Sequence, residues 1–302
     1  MSTSSIGSKN SRSINESNNK GSTKRCTQQL PTPCLLLYMP LYKVSLMRIT
    51  AHAKVNIFLK ITGHKEGYHT LLSRFMRVDE LYDTLTLIPK KCETFTIEGC
   101  GDIPIESNTI YKAFQILQEH TSSNKLKYFF ENHKVVVEKH IPSQAGLGGG
   151  SSDAAAFMRL VNEVCNLNIP IKRLAELGSR IGADLPFFIY NCPSANVSGF
   201  GELVETFEEE TLPLELFTPK VRCDTTLVYK TFKQHLLNDI TLYSFTGWEK
   251  YKSKDILELI ADPVMLNDLY AAALIAYPEL KKIAPKNWFF SGSGSTFFQI
   301  KT

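Results

Sequence analysis

The run Pro142-Ser-Gln-Ala-Gly-Leu-Gly-Gly-Gly-Ser-Ser-Asp153 leads directly into Ala154-Ala-Ala-Phe-Met-Arg-Leu-Val161. Glycines at 146, 148, 149 and 150 remove the side chains that would hold a backbone away from a ligand. Ser151 and Ser152 read as the cap of a helix over 152–164, whose apolar positions Phe157, Leu160, Val161 and Val164 recur at helical spacing. A helix start offers unpaired N–H groups and partial positive charge, so a glycine loop there is an anion cradle. A polyphosphate is the anion this reading favours. The run is neither a Walker A loop, since no Lys-Ser or Lys-Thr follows its last glycine, nor a dinucleotide fingerprint, since Ser151 stands where the third glycine belongs.

Outward from the cradle, strand-like runs lie at Val55–Ile61, Thr84–Ile88, Lys134–Glu138 and Thr296–Ile300. Helix-like runs lie at Thr109–Glu119, Ile171–Ile181, Ser253–Ile260 and Leu266–Ile275. Thr206–Pro219, with three consecutive glutamates, reads as a connection before a fresh strand around Arg222. The pattern alone implies an α+β protein with mixed sheets.

The chain has 302 residues, 43% hydrophobic and 21% charged, enough for one large or two ordinary domains. Its net charge of +4 misleads. Residues 1–46 hold six basic side chains against Glu16, and subtracting that +5 from +4 leaves the remainder at −1. Nothing there argues for nucleic-acid binding. The first thirty residues, rich in Ser, Asn, Thr and Lys, read as disordered, and the uncharged run Pro31–Tyr42 is too short to span a bilayer. The seven cysteines form no C-x-x-C pair, which argues against a disulfide framework or a zinc site and for a reducing, cytoplasmic compartment.

Individual residues carry further expectations. Asp184 precedes Leu185-Pro-Phe-Phe-Ile, where a partly buried carboxylate needs a cation; the alternative is a helix-capping aspartate. Lys54 interrupts an apolar strand and requires an anion unless it lies on a solvent face. Asn56, two residues on, shares its strand face. Tyr68 and His69 follow Gly67 in a loop and pair an aromatic face with a hydrogen-bonding ring, the equipment for holding a nucleobase.

Taken in order, Ala51–Leu59, Gly67-Tyr-His69, the glycine run, Gly182–Phe188, Gly199–Glu202, Asn267–Leu269 and Ser291–Ser295 resemble the GHMP kinase superfamily from about Met47 onward. The resemblance implies a two-domain fold, 47–207 and 208–302, with the active site in the cleft between the domains. It implies an ATP-dependent kinase, magnesium accompanying ATP with ligands left unnamed, and as substrate the 2-hydroxyl of 4-diphosphocytidyl-2-C-methyl-D-erythritol in non-mevalonate isoprenoid synthesis. The same motifs imply that Asp184 is the base and Lys54 its electrostatic partner. ATP would be held by Lys139 and by Pro142, Ser143, Gln144, Ala145, Gly146, Leu147, Gly148, Gly149, Gly150, Ser151 and Ser152. The substrate would meet Asn56, Tyr68, His69 and Tyr229, the last where relatives commonly carry Phe.

Two departures stand out: Glu66 replaces the usual Asp before Gly67, and Asp153 stands where many members carry Asn. Mevalonate, homoserine or sugar kinases of the same superfamily, and an inactive ligand-sensing homologue, are the rival readings. No membrane or nucleic-acid partner is implied. Because the resemblance begins at Met47, residues 1–46 are most simply an upstream extension, the alternatives being a disordered tail or an organellar (plastid-type) transit peptide.

Overall fold

Two long strands organise the fold. The protein is described here by a computed structural model covering residues 47–65, 68–121, 124–236 and 247–301, with the backbone alone at Lys65 and Tyr68. The expectations for residues 1–46, Gly67 and the Tyr68 side chain lie outside the described residues. Strand β1 (Arg48–Lys65) pairs antiparallel with β2 (Tyr68–Pro89). A short β3 (Ile97–Glu98) runs parallel to β4 (His133–Glu138), while β5 (Ser194–Gly199) and β6 (Leu203–Thr206) form a hairpin. The far edge of β2 is shared: Leu71–Met76 pair with β5, and Thr84–Pro89 pair with β4. Pairing on both edges explains why β1 and β2 greatly exceed the short apolar runs visible in sequence. It also places His69 inside a strand rather than in the expected loop.

Register shifts in β1 decide which side chains face the site. Ala53, Val55 and Ile57 point into one apolar cluster, so Lys54 and Asn56 point the other way. An irregularity between Asn56 and Phe58 then reverses the parity, sending Leu59 and Ile61 to the opposite cluster. Both faces of β1 are buried between Ala53 and Ile61.

Helices α1 (Thr109–Thr121), α2 (Lys125–Phe130), α3 (Gly149–Val164), α4 (Ile171–Ser179) and α5 (Leu185–Tyr190) accompany this first sheet. Helix α3 is buried from Ser152 through Met158, its alanines allowing close approach to β1, α1 and α5. It begins earlier than its apolar pattern suggested. Gly148, and neither Ser151 nor Ser152, is the N-cap.

A second sheet, ordered β7 (Leu214–Phe217), β9 (Phe297–Ile300), β8 (Phe289–Phe290), is built from later residues. With it go α6 (Thr225–His235), α7 (Ser253–Leu259), α8 (Pro263–Leu266), α9 (Asp268–Ala276) and α10 (Leu280–Ile283). The strand expected around Arg222 is absent; that segment is coil and the new strand is β7, inside the supposed connection. Nor is Leu266–Ile275 one helix, because Asn267 is extended and caps α9 with its own side chain. The α+β class with mixed and antiparallel sheets is borne out.

The connection after β6 carries a buried ion pair. Arg74, fully buried on β2, donates to Glu209 Oε1 at 3.1 Å and to Asn196 Oδ1 at 2.7 Å. It also reaches the carbonyls of Glu249 and Tyr251. Glu209 in turn accepts from Ser194 and Ser253. A glutamate in what reads from sequence as a connection therefore helps bind the later segment to the first sheet.

Candidate active site

The glycine run forms one wall of a cavity of about 420 Å3. Its backbone is stitched on both sides. Lys54 N–H donates to the Leu147 carbonyl, Thr296 N–H to Ala145, and Cys223 N–H to Gln144. Ser291 Oγ donates to the Gly146 carbonyl at 2.9 Å and accepts from Asn56 N–H. Asn267 holds this second glycine loop from behind, donating to the carbonyls of Phe290 and Gly292.

These contacts revise the role of the glycines. Gly146 has φ +75°, and a Cβ there would lie 2.1 Å from the Ser291 carbonyl oxygen. A Cβ at Gly148, φ +71°, would meet the Phe188 ring at 2.8 Å and Lys54 Cε at 3.3 Å. Both are glycine because protein packs against them, in a left-handed conformation that other residues adopt at a cost. Gly150 differs: its nearest neighbour would be Thr109 Oγ1 at 3.5 Å. Gly149 is closed as well, a Cβ there meeting Ile141 Cγ2 at 2.9 Å, which leaves Gly150 as the open glycine at the start of α3.

Lys54 is buried on the cavity floor, its Nζ donating to Asn56 Oδ1 at 2.6 Å and lying 3.6 Å from Asp184 Oδ2. It also sits 4.6 Å from the centroid of the Phe75 ring. Burial pulls the Lys54 ammonium below its ordinary value, and Asp184 opposes that fall. Asn56 Nδ2 donates to Ser73 Oγ at 2.9 Å, so its amide is held on both sides. Asp184 occupies the N-cap position of α5, followed by Pro186 in the first turn, yet its side chain accepts no hydrogen bond from that helix. The capping alternative is thus met in position but not in bonding.

Lys139 lines the same cavity and forms ion pairs with Asp153, at 2.6 Å, and with fully buried Asp83. Burial pulls Lys139 down, but the two carboxylates outweigh it and hold the ammonium above its usual range. Tyr229, on α6, lines the cavity too; burial, with Asp184 adding to it, raises its phenol.

Of the residues named from sequence, Lys54, Asn56, Lys139, the whole run 142–151, Asp184 and Tyr229 line this one cavity. Ser152 does not. It is buried one helical step round from Ser151, and its hydroxyl donates to the His52 carbonyl at 2.7 Å. His69 stands behind the wall, its ring 5.9 Å from that of Tyr229 and nearly parallel to it, with Nδ1 buried and unpaired. Burial, then His64 and Lys233, lower the His69 imidazole.

Sequence reasoning missed Thr109, Thr225, Ser293, Phe200 and Asp83. Phe200 and Ser293 lie within stretches that carry the resemblance, and Asp83 had a signal of its own, a lone carboxylate in the alternating apolar run Leu81–Leu87. Thr225 Oγ1 and Ser293 Oγ lie 2.9 Å apart, joining the start of α6 to the second glycine loop.

Residues 108–192 match the family described as GHMP kinases N terminal domain. The chain is 63% identical over 253 residues to a 4-diphosphocytidyl-2-C-methyl-D-erythritol kinase of Sulfurovum sp. (strain NBC37-1), covering 84% of this chain and 98% of the relative. It is 45% identical to the kinase of that name from Sulfurimonas denitrificans, covering 83% of this chain and 96% of the relative. A crystal structure of 4-(cytidine 5'-diphospho)-2C-methyl-D-erythritol kinase superposes with a TM-score of 0.65 at 27% identity, over 84% of this chain and 90% of that one.

Proposed function

The chain belongs to the 4-diphosphocytidyl-2-C-methyl-D-erythritol kinases of the GHMP family, and we propose that it transfers the γ-phosphoryl group of ATP to the 2-hydroxyl of that cytidyl-linked polyol. One observation carries the mechanism: Lys54 and Asp184 meet in the same cavity as the open start of α3. The triphosphate lies along 142–151, with backbone N–H groups at the helix start facing its oxygens. The substrate hydroxyl sits at Asp184. As its oxygen bonds to the γ-phosphorus, its proton passes to the Asp184 carboxylate and ADP leaves with the electrons of the broken P–O bond. Lys54 favours the developing negative charge on the attacking oxygen, and Asn56 fixes the direction of its ammonium.

Tyr229, backed by His69, supplies a wall for the cytosine. The two sheets are read as the cores of domains 47–207 and 208–302, with the cavity as their cleft. Among the described residues no group of three or more His, Cys, Asp or Glu could hold a metal ion. Magnesium would arrive with ATP and would help neutralise the charge of its phosphates. No helix among the described residues is long and apolar enough to cross a membrane. The described cysteines are free, which supports a cytoplasmic enzyme.

The test is ATP turnover with 4-diphosphocytidyl-2-C-methyl-D-erythritol, mevalonate and homoserine in parallel. Turnover confined to the first supports the assignment. Preference for either of the others overturns it, and binding of the cytidyl compound without turnover favours the ligand-sensing reading.

A further inference from the structure

A second cavity of about 370 Å3 adjoins the first, sharing Thr109, Lys139, Ile141, Ser143 and Gly150 with it and adding, among others, Cys100 and Asp153. Lys139 stands where the two meet. Its ammonium donates to Asp153 Oδ2 at 2.6 Å and to Asp83 Oδ2 in a shorter contact. Two buried carboxylates, with side chains 5% and 0% exposed, thus lean on one cation.

The two carboxylates are not equally supplied. Asp83 Oδ1 accepts from the backbone N–H groups of His140 at 2.5 Å and Ile141 at 2.8 Å. Asp153 Oδ1 is buried without a hydrogen-bond partner. A surplus negative charge in so dry a place is costly, and a proton on one carboxyl removes it. The proton goes to the carboxyl with fewer donors, which is Asp153. Burial pushes Asp153 up, Lys139 pulls it back and Asp83 adds to the rise, leaving it at about 7. Lys139, just past the end of β4, and Asp83, within β2, face it. Cys100 faces it from the loop after β3, with a thiol that burial raises.

We propose that Asp153 sets the charge of the nucleotide site. When it is protonated, the Lys139–Asp83–Asp153 cluster is neutral and accepts a polyphosphate; when it is ionised, the cluster carries one negative charge that opposes the ligand. This rests on the reading of the first cavity as the ATP site. Nucleotide binding above neutrality then draws a proton onto Asp153, because the incoming phosphates favour its neutral form.

The experiment is calorimetric ATP binding without the second substrate, for the wild type and Asp153→Asn, from about pH 6 to about pH 8.5. The wild type is expected to lose about tenfold in affinity relative to Asp153→Asn over that range, the counterpart of a one-unit rise of the Asp153 carboxyl on binding. Titration of ATP itself is common to both proteins and cancels in the comparison. Identical pH dependence in the two proteins overturns the proposal. Should Asp153→Asn not fold, proton uptake by the wild type, measured in two buffers of different ionisation enthalpy, decides. Uptake no greater than that of ATP's own terminal phosphate overturns it. Absence of ATP binding at every pH is a different result, one that removes the ATP assignment and this proposal with it.

Discussion

Asp184 stands at the N-cap of α5 but leaves that helix uncapped, its Oδ2 lying 3.6 Å from Lys54 Nζ. An N-cap aspartate ordinarily accepts from its own helix, a contribution of about 0.5–2 kcal/mol. Here the carboxylate keeps its acceptor capacity for the cavity. The two partners differ in exposure: the Lys54 side chain is 5% accessible and that of Asp184 32%. The lysine is part of the floor, while the aspartate is within reach of an entering ligand.

Replacing Asp184 by Asn keeps size and shape but cannot accept the hydroxyl proton. Turnover should fall about 10²–10⁴-fold while ATP and the cytidyl substrate still bind. Lys54→Met should also cost turnover, and the double variant should lose far less than the product of the two single losses. Single-turnover rates beside calorimetric affinities provide the check. Near-normal turnover in Asp184→Asn would leave positioning alone to explain catalysis.

The environment of Lys54 makes a second prediction, with a definite sign. Burial lowers its ammonium and Asp184 raises it, so removing Asp184 should lower it further. Lys54 should therefore lose its charge at lower pH in Asp184→Asn than in the wild type. A carbon-13 NMR titration of the lysine ε-carbons reads both midpoints. An unchanged midpoint would show that the pair is not coupled.

The glycines of the cradle should separate into two kinds. Gly146→Ala drives a Cβ into the Ser291 carbonyl at positive φ, and should destabilise the fold by about 1–3 kcal/mol or more. Gly150→Ala meets only ordinary contact at 3.5 Å and lies within α3, where alanine is favoured over glycine by up to about 1 kcal/mol. Its melting temperature should hold or rise while ATP affinity falls. Unchanged ATP affinity in Gly150→Ala would move the phosphates away from the helix start.

Tyr229→Ala should raise the Michaelis constant for the cytidyl substrate by an amount in line with roughly 1–3 kcal/mol of lost stacking. His69→Ala should do so less, since its ring backs Tyr229 instead of lining the cavity. The constant for ATP should barely move in either. Weakening of ATP alone would reverse the assignment of the two ends of the cavity.

The Arg74–Glu209 pair is a structural prediction. Arg74→Met leaves Glu209 buried without its cation and should cost about 3–5 kcal/mol in urea unfolding. Adding Glu209→Gln should recover part of that loss. Strict additivity of the two changes would mean that they do not act as a pair.

The cradle, Lys54 and Asp184 were legible because each breaks a local pattern: glycines crowded before a helix, one cation in an apolar strand, one carboxylate before Leu-Pro-Phe-Phe. Such breaks carry a cost that needs an explanation wherever the segment folds. Ser152 looked equivalent to Ser151, but Gly148 sets the start of α3 and one residue turns a helical side chain by about 100°, so Ser152 packs against β1. Glu209 lay in a stretch that reads only as a connection, because its partner Arg74 belongs to a strand far away in the sequence.

By itself, then, the sequence determined the α+β class, the family and the residue types of the site, since these depend on composition, periodicity and short-range motifs. Tertiary structure alone decided that the irregularity before Phe58 would reverse the faces of β1, that Ser291 and Asn267 would brace the cradle from the far end of the chain, and that Asp83 and Asp153 would share one lysine. Strand register and long-range hydrogen bonds are set by how whole elements bury their faces against one another, and no short window of sequence contains both partners.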